Sequence, residues 1–138
     1  MQNMGGGKTA LGLDTGIGVL ICYFGNLACG LPLGIIYSIL VVVQDKTNRV
    51  ARFHAFQSLL LLVVGFVIGI PLGIIYTIGM FVDMAIGLPV FTGIGVLLSL
   101  AVMLGLLYFV VMAAIKGFNG EIYKIPVVGN FAEKYSAT

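Results

Sequence analysis

Charged residues divide the chain into three long apolar runs. Asp14 precedes an uncharged run from Thr15 to Gln44, and the hydrophilic patch Asp45-Lys46-Thr47-Asn48-Arg49-Val50-Ala51-Arg52 ends it. A second run extends from Phe53 to Val82, with His54 counted as neutral, and Asp83 alone separates it from a third, Met84 to Ile115. Each run holds 30 residues or more, whereas one bilayer crossing takes about 20 and two crossings with a turn about 40. The pattern predicts one crossing per run, over 18–43, 54–82 and 90–115, with tilt, kinks or an interfacial turn absorbing the surplus. Helix is the form that pairs every backbone group inside one segment in lipid. The polar–apolar alternation of barrel strands is missing from all three runs. The expected fold is an all-α integral membrane protein, a three-helix transmembrane bundle with Pro/Gly-kinked spans. A flexible tail (1–14) precedes the transmembrane domain (15–116), and an interfacial tail (117–138) follows it.

Composition agrees with a lipid environment. Of 138 residues, 60% are hydrophobic and 9% charged, against roughly 25% charged in soluble domains. A net charge of +2 is too small to point to nucleic acid, and its distribution is more informative. Lys46, Arg49 and Arg52 follow the first run, and Lys116, Lys124 and Lys134 follow the third. Three crossings put these six on one side, with Lys8 alone on the other and no cation near Asp83. The positive-inside rule then places the N-terminus outside and the C-terminus in the cytoplasm. The expected setting is a multi-pass protein of the bacterial cytoplasmic membrane. A cleavable signal fits poorly, because Asp14 lies upstream and Ile21, before Cys22, is large for a cleavage site. The closing segment is too polar to span. It is expected to lie on the cytoplasmic interface, with Tyr123, Ile125 and Phe131 dipping in and its lysines meeting anionic head groups.

One decapeptide recurs. Gly30-Leu31-Pro32-Leu33-Gly34-Ile35-Ile36-Tyr37-Ser38-Ile39 returns as Gly69-Ile70-Pro71-Leu72-Gly73-Ile74-Ile75-Tyr76-Thr77-Ile78, identical at eight of ten positions. On consecutive spans the copies run in opposite directions, as inverted repeats do in transporters. Pro32 and Pro71 each remove a backbone bond and are expected to bend their helices. Small residues recur every fourth position, at Gly30, Gly34 and Ser38 and at Gly65, Gly69, Gly73 and Thr77. This spacing lets helix backbones approach closely, within the chain, against other membrane subunits, or in a homo-oligomer.

Candidate chemistry is sparse. Gly5-Gly6-Gly7-Lys8-Thr9 resembles the end of a phosphate-binding loop, but position 2 is Gln2 and no strand precedes it. Cys22 and Cys29 lie seven apart, about 10 Å along a helix, which is beyond disulfide reach. No further ligands accompany them, and no metal site is expected. Asp83 is expected to be solvated at the end of its span. The most pointed stretch is Arg52-Phe53-His54-Ala55-Phe56-Gln57-Ser58, where His54, Gln57 and Ser58 share one helical face. These three and Arg52 are candidates for contact with a partner or a lipid head group, or for a local network tying the helix start to its loop. A lone histidine can also ligate a pigment metal or haem, although no cofactor is otherwise implied. No nucleophile–base pair is present, and no catalytic residue is expected.

The stretch Asn48-Arg49-Val50-Ala51-Arg52-Phe53-His54-Ala55-Phe56-Gln57-Ser58-Leu59-Leu60-Leu61 resembles a Phe-His-Ala-x-Gln signature followed by a leucine run. The signature is that of small bacterial membrane proteins of unknown function, related to the twenty-kilodalton membrane component of the chloroplast inner-envelope import translocon. Gly120-Glu121-Ile122-Tyr123-Lys124-Ile125-Pro126-Val127-Val128-Gly129 resembles their terminal pattern. Phe53, His54, Ala55, Gln57, Tyr123, Pro126 and Gly129 carry the resemblance, which implies a relative of proteins associated with import and having four spans. Together these features lead to the expectation of a non-enzymatic accessory or scaffold subunit of a larger membrane complex. The alternative is an oligomeric small channel or transporter built on the inverted repeat.

Overall fold

A computed structural model describes residues 7–28 and 32–137. The described residues form five helices: α1 (Thr15–Ala28), α2 (Leu33–Gln44), α3 (Arg49–Ile86), α4 (Val90–Phe118) and α5 (Val128–Ser136). The only β pairing among them is an isolated bridge between Lys8 and Asp14. The all-helical expectation holds, but the three-helix arrangement does not follow. α3 and α4 are long and apolar enough to cross a bilayer. The first expected span, 18–43, is two helices too short to cross alone, at about 1.5 Å per residue.

The chain divides into two compact units, one comprising residues up to Leu62 together with those from Phe109 onward, the other Val63–Tyr108. In the first unit, α1 and α2 run antiparallel. The Thr9 and Tyr37 hydroxyls lie 3.3 Å apart and the Ala10 amide donates to Asp45 Oδ2 at 2.9 Å. At the other end of the pair, a Cβ on Gly25 would lie 2.8 Å from the backbone nitrogen of Gly34. A Cβ on Gly18 would likewise run into the Tyr37 hydroxyl. Small residues at these crossings let the two helices close on each other. Pro32 has no N–H and stands before α2 rather than inside a helix, its carbonyl accepting from Ile36 N at 3.0 Å. The expected bend in a continuous span is therefore a return of the chain. Of the small-residue positions in this run, Gly34 and Ser38 are buried, while Gly30, like Cys29, lies outside the described residues.

Asp45 organises the approach to α3. Its Oδ1 accepts from Asn48 N at 2.9 Å, and Asn48 Oδ1 in turn caps α3 by accepting from Ala51 N at 3.1 Å. The Asn48 amide also donates to the Thr15 hydroxyl, which donates to the Gly7 carbonyl at 2.6 Å. The segment before α1 is thus tied beside the segment before α3. Cys22, Val41, Ala51 and Ala55 pack together beneath this knot, with Leu11, Tyr37 and Val42 around them.

The second unit is a helical hairpin made by the later part of α3 and the earlier part of α4. Gly79 faces Phe91 and Gly95 lies under the Tyr76 ring, where a Cβ would come to 3.0 and 2.9 Å. Gly87 turns the chain at φ +73°, a left-handed conformation that glycine adopts without strain. Asp83 is not solvated as expected. It is 7% exposed, and its two carboxylate oxygens accept from Phe91 N at 2.9 Å and Thr92 N at 2.6 Å. These are unpaired amides of the first turn of α4, so Asp83 caps that helix from across the turn. Pro71 lies inside α3, as expected.

Candidate functional site

The shared face of His54, Gln57 and Ser58 is turned into the first unit. His54 and Gln57 are wholly buried. His54 Nε2 lies 3.0 Å from the carbonyl of Glu121 and must carry the proton, because a carbonyl only accepts. In the neutral ring Nδ1 is then an acceptor, and the Tyr23 hydroxyl donates to it at 3.1 Å. The Gln57 amide nitrogen donates to the Tyr23 oxygen at 2.9 Å and to the Tyr123 carbonyl at 3.1 Å. Gln57 Oε1 accepts from Ile125 N at 3.2 Å. Every polar atom of the three side chains is engaged, and three elements are joined: α1 through Tyr23, α3 through His54 and Gln57, and the segment leading to α5 through its backbone.

Packing holds the network in place. The Tyr23 and Phe53 rings meet His54 edge-on, at centroid distances of 5.9 and 5.3 Å. Gly117 of α4 lies beneath the imidazole, where a Cβ would sit 2.8 Å from Nε2 and 2.5 Å from Val19 Cγ1. The terminal pattern residues shape the other partner. Val128 N donates to the Pro126 carbonyl at 2.8 Å and Gly129 N to the Ile125 carbonyl at 2.7 Å, closing a turn into α5. Val127 takes φ +67° and ψ −59° there, the strained form of a three-residue turn and costly for a β-branched residue. Gly129 packs against the Lys124 backbone, 2.7 Å from a Cβ placed on it. Ile125 is buried rather than dipping outward, whereas Phe131 is exposed.

Ser58 stands beside the network: its hydroxyl donates to the Ala55 carbonyl and receives one from Ser38, both at 2.9 Å. Arg52 leaves the shared face and lines a cavity with Lys46 and Arg49. With both ring nitrogens of His54 engaged, neither is left to ligate a haem or pigment metal. Among the described residues nothing lies within 4 Å of a Cβ added to Gly65, Gly69 or Gly73, and the Thr77 hydroxyl donates to the Gly73 carbonyl at 2.8 Å. Sequence reasoning missed Tyr23, Gly117 and the carbonyls of the closing segment. A phenol within an apolar run was the available signal for Tyr23, since a buried Tyr hydroxyl needs a partner, and Tyr37 in the same run carried the same signal.

The model of the magnetosome magnetite crystal formation protein family matches residues 12–132. The UPF0132 membrane protein MJ1443 of Methanocaldococcus jannaschii is 32% identical over 130 residues, covering 94% of this chain and 96% of the relative. The UPF0132 membrane protein MJ1527 of the same organism is 29% identical over 126 residues, covering 91% and 73%. No solved structure matches. These matches overturn the resemblance to the chloroplast import translocon component: the family that takes in both the Phe53–Gln57 signature and the Tyr123–Gly129 turn is the magnetosome one, and the relatives are archaeal membrane proteins. The chain is a membrane protein and belongs to the MamF/MmsF family, the magnetosome magnetite crystal formation proteins.

Proposed function

We propose that the protein is a non-enzymatic membrane scaffold that anchors a basic platform to the bilayer and packs against other membrane chains through α3. The observation that carries this reading is the open small-residue face of α3. Gly69, Gly73 and Thr77 line a groove of about 470 Å³ with Ile70, Ile74, Ile78 and Phe81, and none of the described residues fills it. In lipid, close approach along such a face supplies the van der Waals contact that drives helix association.

Charge supports an orientation different from the three-span expectation. All seven Lys and Arg residues belong to the first unit, while Asp83 is the only charged residue of Val63–Tyr108. In the reading proposed here, α1 and α2 enter and leave the same face. α3 and α4 cross, and both chain ends lie with the cations in the cytoplasm. The family name speaks of magnetite crystal formation; in this reading the chain contributes by organising membrane partners rather than by holding iron. Asp45, Asp83, Glu121 and Glu133 are all engaged with groups of the chain itself. The channel alternative loses support because its repeat copies occupy unlike settings, one at the start of the short α2 and the other within α3. Extraction in a mild detergent, followed by measurement of the particle mass, tests the scaffold. Gly69→Leu should insert normally but lower the assembled mass, and an unchanged mass would refute the packing role.

A further inference from the structure

We propose that the first unit carries a binding site for a dianionic phosphate group, at the junction of the loop before α3, the first turn of α3 and the end of α5. Lys46, Thr47, Arg49, Arg52, Ser136 and Ala137 line one cavity of about 360 Å³ there, a volume at the lower end of small-ligand sites. Three of those side chains are cations, and their charge is poorly matched by the chain. Glu133 lies 3.9 Å from Arg49 but spends its other oxygen on Lys124 at 2.7 Å. Asp45 directs its carboxylate to the backbone amides of Ala10 and Asn48. Among the described residues no carboxylate pairs with Lys46 or Arg52.

Arg52 supplies the specific feature. Its Nε is buried and has no hydrogen-bond partner among the described residues. A buried guanidinium N–H without an acceptor is costly, and the group presents its donors as a planar fork that two oxygens of one phosphate satisfy together. Lys46 adds a mobile point charge and Arg49 a second guanidinium. The Ser136 hydroxyl already donates to the Glu133 carbonyl at 3.2 Å, so the cations carry the recognition. A phosphate monoester, with two negative charges, matches this set better than a diester with one. The group can come from a phosphomonoester lipid head group or from free phosphate, and the site stands whether or not α3 recruits partners.

The test uses the full chain in neutral-detergent micelles. Retention of phosphatidic acid, phosphatidylglycerol and phosphatidylcholine is measured by native mass spectrometry, with inorganic phosphate as competitor. Phosphatidic acid should be retained above the other two. Arg52→Gln and Lys46→Gln should each weaken retention about tenfold, the scale of a lost hydrogen bond to a charged group. Lys116→Gln, whose cation pairs with Glu121 at 2.7 Å, should leave it unchanged. Displacement by millimolar phosphate would identify a soluble source, and resistance to it a lipid one. Equal retention of phosphatidylglycerol, or an equal effect of Lys116→Gln, would overturn the proposal. Lys46 is exposed, so its variant reads binding even if Arg52→Gln disturbs folding.

Discussion

The side-chain amide of Gln57 donates to the phenol oxygen of Tyr23 across 2.9 Å, joining α3 to α1 through two buried side chains. The same phenol donates to His54, so Tyr23 is the hinge between two side chains that both reach the closing segment. Tyr23→Phe removes one oxygen and leaves His54 Nδ1 buried without a donor. The expected loss is about 1–3 kcal/mol of stability, the cost of a stranded buried polar group. Gln57→Leu strands both the Tyr123 carbonyl and the Ile125 amide and should cost more. Unfolding in a graded detergent series, followed by circular dichroism, measures both. A Tyr23→Phe protein as stable as the parent would show that the network does not hold the unit together.

Glycines of one sequence class should separate into two groups on substitution. A Cβ on Gly117 would meet Val19 at 2.5 Å and His54 at 2.8 Å, and one on Gly25 would meet the Gly34 backbone at 2.8 Å. Gly117→Ala and Gly25→Ala should each cost about 1–3 kcal/mol through overpacking. A Cβ on Gly93 meets none of the described residues within 4 Å. Gly93→Ala should be neutral or stabilising by up to about 1 kcal/mol, because alanine is the better helix former. Equal losses at all three positions in the same unfolding series would contradict the packing described.

This division also explains what was legible beforehand. The helical character of the chain, and the long apolar helices α3 and α4, follow from uncharged runs that lipid can cover. The return of the first run was not legible, because a kinked span and a close helical pair use the same residues. Gly18, Gly25, Gly34 and Pro32 suit both, and what decides is contact between distant parts of the run, Gly25 with Gly34 at one end and Ala10 with Asp45 at the other. The face shared by His54 and Gln57 could be read from spacing alone. Its partners could not, since three of them are backbone groups of Glu121, Tyr123 and Ile125, more than 60 residues away and without a side-chain signature. Asp83 read as a solvated end because its acceptor role depends on a turn that brings Phe91 and Thr92 back to it.

The docking of α5 should weaken in acid. The hydrogen bond from Lys124 to Glu133, and the positive charges of Lys124 and Arg49, hold the Glu133 carboxyl below its ordinary value of 4.5. A carboxyl depressed in the folded state contributes stability that is fully present above its unfolded pKa. That contribution is lost as pH falls through the folded pKa. The α5 contacts should therefore be unchanged above about pH 5 and loosen progressively below 4.5. Carbon chemical shifts of the Glu133 carboxyl should titrate with a midpoint below 4.5, and Glu133→Gln should remove the pH dependence of α5 in that window. A midpoint at or above 4.5 would show that the lysine contact does not persist in solution.

The proposed path of the chain through the bilayer rests on the contact between the segment before α1 and the loop before α3. The Ala10 amide reaches Asp45, and Asn48 reaches Thr15, so Lys8 and Thr47 belong to one end of the first unit. Had the first apolar run crossed once, these two residues would be separated by the full hydrocarbon thickness, about 30 Å. Single cysteines at Lys8, Thr47 and Leu88, in a chain whose Cys22 and Cys29 are replaced by Ala, distinguish the two arrangements. An impermeant maleimide applied to sealed inside-out vesicles should label the first two positions and spare the third. Labelling of Thr47→Cys and protection of Lys8→Cys would restore a single crossing by the first run. Labelling of all three from one side would mean that α3 and α4 do not carry the chain across, and the orientation drawn from seven cations in one unit would fall with it.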